Sequence, residues 1–331
     1  MPETREQTLP AAVTQRRFLW DGVGNTVFAQ ARNVGKELGI KKLHLKFEGG
    51  NPTGTQKDRV AYEQVFDAHR RGFQTLAIGT CGNYGAAVAN AASLNGMKTA
   101  VYIPKDYHTR RVDELEALNA TVVWVEGKYE DAVARAREDA AANGWYDANP
   151  GEASAPLGLK AYAEISREIF RAMRRVPATV CVPVGNGTTL AGIWAGFKEL
   201  QGQGRTNSLP AMVAGSSYRG NPIVSSFKAG LATVEDLRPE EIHETAVNEP
   251  LVNYHAFDGQ LALDALRESR GFAEYASDRN LIAYARLVRE REGLNPLPAS
   301  TSGLRALVKM LPSRPEAAEG DHVVILTGRR S

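Results

Sequence analysis

Apolar and polar residues alternate from Leu43 to Phe47, which predicts a short β-strand. Directly after it, Gly49, Gly50, Asn51, Pro52 and Gly54 break the chain into a tight loop. From Thr55 the period changes. Val60, Ala61, Val65, Phe66 and Ala68 recur every three to four residues, predicting a helix that runs to about Arg71 and stops at Gly72. Strand, glycine loop and helix then return twice. Thr75 to Ile78 leads through Thr80-Cys81-Gly82-Asn83-Tyr84-Gly85 into an alanine-rich helix, Ala86 to Leu94. The wholly apolar run Thr179 to Val184 leads through Gly185-Asn186-Gly187-Thr188-Thr189 into a helix from Leu190 to Leu200.

Between and beyond these units the same alternation continues. Strands are predicted at Thr99 to Ile103, Thr121 to Val125, Ala211 to Gly215 and His322 to Leu326. Helices are predicted at Ala31 to Leu38, Val112 to Leu118, Tyr129 to Ala142, Leu159 to Met173, Leu281 to Glu290 and Ser302 to Met310. Asn221-Pro222 reads as a loop, and the polar, proline-bearing stretch Gly230 to Gln260 has no clear period. Repeated βα units argue an α/β fold of mostly parallel sheets with covering helices.

Length and composition narrow the class. At 331 residues the chain is too long for one ordinary core, so two domains or one large α/β unit are expected. Forty basic against thirty-eight acidic residues leave a net charge of +2, which does not suggest a nucleic-acid surface. No apolar run approaches the length of a membrane span, and Met1 to Arg17 lacks the apolar core of a secretory signal and reads as a mobile arm. Two cysteines, Cys81 and Cys181, are too few for a disulfide framework and fit a reducing cytoplasm. The six histidines are scattered, with no HExxH or CxxC spacing, so no metal site is expected.

The three glycine loops carry the candidate chemistry, because the ends of parallel strands point the same way and their loops can converge on one cleft. Lys57 falls in the first turn of its helix, where the electropositive N-terminus favours a neutral, nucleophilic amine. Taken alone, this loop does not separate a reactive lysine from a surface one. Gly185 and Gly187 let backbone N–H groups approach a phosphate, and Thr188 and Thr189 add hydroxyls. An ordinary βα turn would look the same. Walker A, GxGxxG and GxSxG patterns are all missed; Asp106 sits near a ribose-binding position, so NAD is weakened rather than excluded. One ligand would use every loop: pyridoxal 5′-phosphate, with Lys57 for its aldehyde, residues Gly185 to Thr189 for its phosphate, Asn83 for its phenolic oxygen and Thr327 for its ring nitrogen.

These stretches carry a resemblance. Glu48-Gly49-Gly50-Asn51-Pro52-Thr53-Gly54-Thr55-Gln56-Lys57-Asp58-Arg59 resembles the cofactor-lysine motif of the fold-type II, or tryptophan synthase β, pyridoxal-phosphate enzymes. Residues Thr80 to Gly85 look like their TSGNTG substrate loop, Gly185 to Thr189 like their phosphate loop, and Leu326-Thr327-Gly328 like their ring-nitrogen motif. Within that superfamily the chain looks most like threonine synthases, through Asn51 to Gly54, Trp145 to Pro150, Pro183 to Asn186 and Thr327-Gly328. Gly187-Thr188-Thr189-Leu190 is nearer to cysteine synthases.

The resemblance implies two three-layer α/β/α domains, residues 1–79 with 151–331 as the larger and 80–150 as a smaller insert. It implies a cytoplasmic homodimer acting on a small amino acid, with Lys57 as Schiff-base anchor and general base. It places the substrate against Thr80, Cys81, Gly82, Asn83 and Tyr84. Its reaction would be elimination with replacement on O-phosphohomoserine, giving threonine and phosphate. The alternative is β-replacement or deamination of serine, threonine or an O-activated serine. A cofactor-binding paralogue without catalysis is the non-enzymatic alternative, against which the intact Lys57 argues.

The chain also departs from the pattern. Cys81 and Tyr84 stand where hydroxyl residues usually hold the substrate carboxylate, Gln56 replaces an aromatic residue, and Arg329-Arg330-Ser331 replaces a GLKD-like continuation. Arg110, Arg111, Lys160 and Arg219 are candidates for a second anion site, although each also reads as a surface charge. Asp58 and Arg59 are expected to form ion pairs near the lysine, and His255 to be structural.

Overall fold

The computed structural model describes residues 18–20, 22–80, 82–107 and 111–330. The arm Met1 to Arg17 and the candidates Cys81 and Arg110 lie outside them. The chain begins with β1 (Val27–Gln30), α1 (Arg32–Leu38), β2 (Leu43–Phe47) and α2 (Lys57–Arg70). It continues through β3 (Thr75–Gly79), α3 (Asn83–Leu94), β4 (Lys98–Pro104), α4 (Val112–Ala117), β5 (Thr121–Val125), α5 (Tyr129–Asn143) and β6 (Tyr146–Asp147). Then come α6 (Ala155–Met173), β7 (Thr179–Pro183), α7 (Thr188–Gly202), β8 (Ala211–Ser217) and α8 (Pro222–Lys228). The last elements are α9 (Gly259–Glu268), β9 (Phe272–Ala276), α10 (Asp278–Glu292), α11 (Ser302–Met310) and β10 (His322–Leu326).

The fold is α/β, with two sheets. Six strands lie in the order β1-β2-β10-β7-β8-β9, and four in the order β5-β4-β3-β6. Among the described residues these strands pair in parallel, except β1 with β2. Period-two alternation explains the layers. In β7, Val180 and Val182 enter one core while Cys181 enters the other. In β10, Val323 and Ile325 join the first while Val324 and Leu326 join the second. The smaller sheet likewise splits Leu76 and Ile78 from Ala77, whose side is filled by the alanine stripe Ala132, Ala136 and Ala140 of α5.

β3 pairs with β4 and β6 and so belongs to the smaller sheet, although it lies ahead of residue 80, where the smaller unit was expected to begin. β1, β6, α8, α9 and β9 have no counterpart among the predicted elements. Asn221-Pro222, read as a loop, is a helix start, because Asn221 Oδ1 accepts the N–H groups of Ile223 and Val224 and Pro222 occupies the first helical turn.

Topology fixes where the loops meet. In the larger sheet β8 and β9 are laid to one side of β7 and β10 to the other, so the turns after β7 and β10 diverge around a crevice. In the smaller sheet β4 and β6 flank β3 in the same way. The glycine loops after β3 and β7 both open at these switch points.

Candidate active site

The loop before Lys57 is held at several points. Glu48–Gly50 forms one 3-10 turn, and Asn51 Nδ2 donates to Glu48 O at 2.9 Å while Asn51 Oδ1 accepts Gly24 N at 2.9 Å. Asp58 accepts Thr53 N and Thr53 Oγ1, each at 3.0 Å. Burial pushes its carboxyl up to about 6 against those hydrogen bonds. Gln56 N donates to Thr327 O at 2.9 Å, and Thr55 bridges to Gly328, so the loop is stitched to the chain leaving β10. Lys57 thereby starts α2 facing inward, its amine 4.6 Å from the centroid of the Tyr84 ring.

Of the two residues expected to form ion pairs, Arg59 does so, meeting Glu48 at 2.6 Å and Glu168 at 2.8 Å. Lys46 meets Glu168 at 2.5 Å, and all four side chains are buried. Asp58 instead holds the loop through Thr53.

In the second loop Thr80 Oγ1 accepts Gly82 N at 3.0 Å and Gly85 N at 3.3 Å, which starts α3 at Asn83, three residues earlier than the alanine run suggests. Gly82 caps that helix. Tyr84 is buried, and its hydroxyl donates to Gln64 Oε1 at 2.7 Å, whose Nε2 donates to Ala148 O at 3.1 Å. Tyr84 therefore offers the face of its ring to Lys57 and keeps its hydroxyl away.

The third loop requires its glycines. A Cβ on Gly185 would lie 2.9 Å from Pro250 O. Gly187 has φ +92°, and a Cβ there would lie 2.7 Å from Ala262 Cβ. Asn221 Nδ2 supports the turn from below by donating to Gly185 O at 2.9 Å. Asn186 is a tie: its Nδ2 donates to Tyr129 Oη at 3.1 Å and its Oδ1 accepts Phe257 N at 3.2 Å. Thr188 opens α7, and its hydroxyl donates to the Asp258 carboxylate rather than pointing freely into the turn. At the far wall Thr327 Oγ1 lies 3.0 Å from Ser300 Oγ.

One cleft of roughly 960 Å³, counting its open mouth, is lined by Lys57, Thr80, Asn83, Tyr84, residues 185–189 and Thr327. Tyr107, Tyr129, Glu249 and Ser300 also line it and were not anticipated. Ser300 was hidden in a Pro-Ala-Ser-Thr-Ser run that reads as plain loop. Arg111, Lys160 and Arg219 do not line the cleft. Arg111 donates to Thr53 O at 2.8 Å, Lys160 meets Glu63 at 2.8 Å, and Arg219 is exposed with its guanidinium over the Tyr218 ring. His255 pairs with Asp236 at 2.9 Å.

These residues fit pyridoxal 5′-phosphate. The turn at 185–189 has no room for side chains on its glycines and faces a helix start, a ready cup for phosphate. A primary amine and the Thr327–Ser300 hydroxyl pair border the same space.

Comparison with known proteins agrees. A family model described as pyridoxal-phosphate dependent enzyme matches residues 19–328. A threonine synthase of Methanocaldococcus jannaschii is 31% identical over 290 residues, covering 87% of this chain and 70% of that protein. A threonine synthase of Methanosarcina acetivorans is 32% identical over 292 residues, with the same coverage. Among solved structures, maize serine racemase superposes with a TM-score of 0.76 at 19% identity, over 93% of this chain and 90% of that one. With lysine, glycine cup and hydroxyl wall set around one crevice, and a family match that runs through all of them, the chain belongs to the pyridoxal-phosphate dependent enzymes.

Proposed function

We propose that this enzyme carries out elimination and replacement on O-phosphohomoserine, releasing phosphate and forming threonine. The observation that carries the reading is that Lys57, the 185–189 turn and Thr327 line a single cleft in a chain about 30% identical to threonine synthases. When bound, the cofactor supplies a conjugated ring that draws electrons from the substrate α-carbon. Lys57 would anchor it, and its free amine would take the substrate α-proton as base. Backbone N–H groups of 185–189 would hold the phosphate, and Asn83 would orient the ring edge. The neutral Thr327–Ser300 pair offers a bound ring nitrogen no carboxylate that would hold a proton there, a setting that would favour elimination and replacement over transamination.

A second reading, deamination of serine or threonine, is favoured by the charge of the wall. Among the described lining residues Lys57 is the one cation and Glu249 the one carboxylate, a setting suited to an uncharged leaving group. Phosphate release from O-phosphohomoserine and 2-oxobutyrate formation from threonine separate the two; activity in the second assay alone overturns the first reading. A cofactor absorption band that borohydride fixes on the Lys57 peptide, and that Lys57→Ala abolishes, tests the anchor common to both. A cytoplasmic homodimer is part of the same proposal, and sedimentation equilibrium tests its stoichiometry.

A further inference from the structure

Lys57, Tyr84 and Thr188 border a second, smaller chamber as well as the cleft, forming a partition between the two. The lining of that chamber carries a carboxyl group that the reaction so far leaves unused. Asp258 is buried, 3% exposed, and immediately precedes α9. Two contacts fix it to the phosphate turn: its N–H donates to Asn186 O at 3.2 Å, and its carboxylate accepts the Thr188 hydroxyl. A buried carboxylate needs a compensating charge. Arg137, which also acts on it, is engaged with Asp147 at 3.5 Å and Pro150 O at 2.7 Å. Lys57 is the other cation whose field reaches it.

We propose that Asp258 is the counter-charge of Lys57, a positioning residue that stabilises the ammonium formed each time the lysine takes up a proton. The proton leaves the substrate α-carbon, whose electron pair stays with the substrate, and Lys57 passes from NH2 to NH3+. Asp258 stays a carboxylate across the chamber throughout. When the proton moves on to the leaving group or product, Lys57 returns to NH2. Thr188 couples this acid to the phosphate turn, so that a single hydroxyl touches both halves of the site. Burial acts on the Asp258 carboxyl in the opposite sense, pushing its pKa up, while Thr188 and Lys57 pull it down. The other ionisable groups facing the pair are Tyr84 from α3, Tyr162 from α6, Arg137 and Tyr129 from α5, and Glu249 across the cleft. The Tyr84 ring also favours the ammonium, so loss of Asp258 weakens that preference without abolishing it.

The proposal rests on Lys57 serving as the base, but its test needs no cofactor. The full chain, cleared of bound aldehyde with hydroxylamine, is treated with formaldehyde and cyanoborohydride across a pH series, and methylation of the Lys57 peptide is followed by mass. Only the neutral amine reacts. In Asp258→Asn the midpoint should fall by about one pH unit, making Lys57 methylation roughly tenfold faster below both midpoints. Asp258→Glu should restore the wild-type profile, a rescue that a merely structural role would not produce in pH. Should Asp258→Asn fail to fold, Asp258→Ser, which also removes the charge and keeps a hydrogen-bond partner for Thr188, stands in with the same shift expected. A midpoint unchanged from wild type in the folded variant overturns the proposal. Absence of cofactor uptake, measured separately by absorbance, would instead overturn the assignment of the cleft.

Discussion

Ser300 Oγ lies 3.0 Å from Thr327 Oγ1 and also accepts the Gly328 amide at 3.0 Å. One buried hydroxyl thus orients the wall side chain and holds the backbone just beyond β10. Ser300→Ala strands the Gly328 N–H and frees the Thr327 hydroxyl to rotate. The expected cost is about 1–3 kcal/mol of stability, with weaker cofactor binding. Thermal unfolding and cofactor titration check it, and an unchanged melting curve would show that water replaces the hydroxyl at no cost.

Gly187→Ala forces a side chain into a left-handed backbone and against Ala262. Strain of roughly 1–2 kcal/mol is expected there, distorting the turn rather than the lysine. Affinity for pyridoxal 5′-phosphate should therefore fall far more than affinity for pyridoxal, which has no phosphate to grip. Equal losses for both ligands would argue that the turn does not hold phosphate.

Stability should fall in acid in two stages. Burial lowers the pKa of His44 and His322, so both stay neutral in the fold. Below the ordinary histidine value of about 6.5, protonation then favours the unfolded chain. Burial alone would raise the Glu168 carboxyl, but Arg59 and Lys46 overcome it and hold it at about 2. Its contribution is present above the ordinary glutamate value of about 4.3 and is lost as pH falls from there toward 2. Asp58 works in the opposite sense, because its raised value of about 6 gives a contribution present in acid and lost as pH rises through 6. Urea midpoints from pH 8 to pH 3 should show the first decline near 6 and a steeper one below 4.5, about where these groups titrate.

Glu168→Gln leaves Lys46 and Arg59 buried with only Glu48 to balance them. Breaking a buried pair in this way costs about 3–5 kcal/mol. Glu168 also accepts Asn25 N at 2.9 Å, so the segment ahead of β1 should loosen in the same variant. Denaturant melts give the first effect and hydrogen exchange at Asn25 the second.

Much of this architecture was legible because local signals and tertiary demands agree. β2 lies at Leu43–Phe47, β10 at His322–Leu326 and α11 at Ser302–Met310, where strong periodicity coincides with a deeply buried apolar face. Where the signals conflict, the sequence misleads. Asn221-Pro222 marks a turn and a helix start equally well, and only the Asn221 hydrogen bonds decide. β1, four residues at the sheet edge, has little core-facing pattern to read. In the site, the glycine loops announce themselves because backbone geometry restricts residue choice. Ser300 and Asp258 do not, because their roles arise from neighbours distant in sequence.

The stitching of Gln56 to Thr327 and of Thr55 to Gly328 bears on the order of synthesis. β10, the last strand described, fills the gap between β2 and β7 in the middle of the larger sheet. On the ribosome, where the chain emerges from its N-terminal end, β2 and β7 wait with unpaired edges, and the loop bearing Lys57 lacks its ties to the chain leaving β10. The lysine is made early; the crevice that gives it a use closes only after residue 327 has left the exit tunnel.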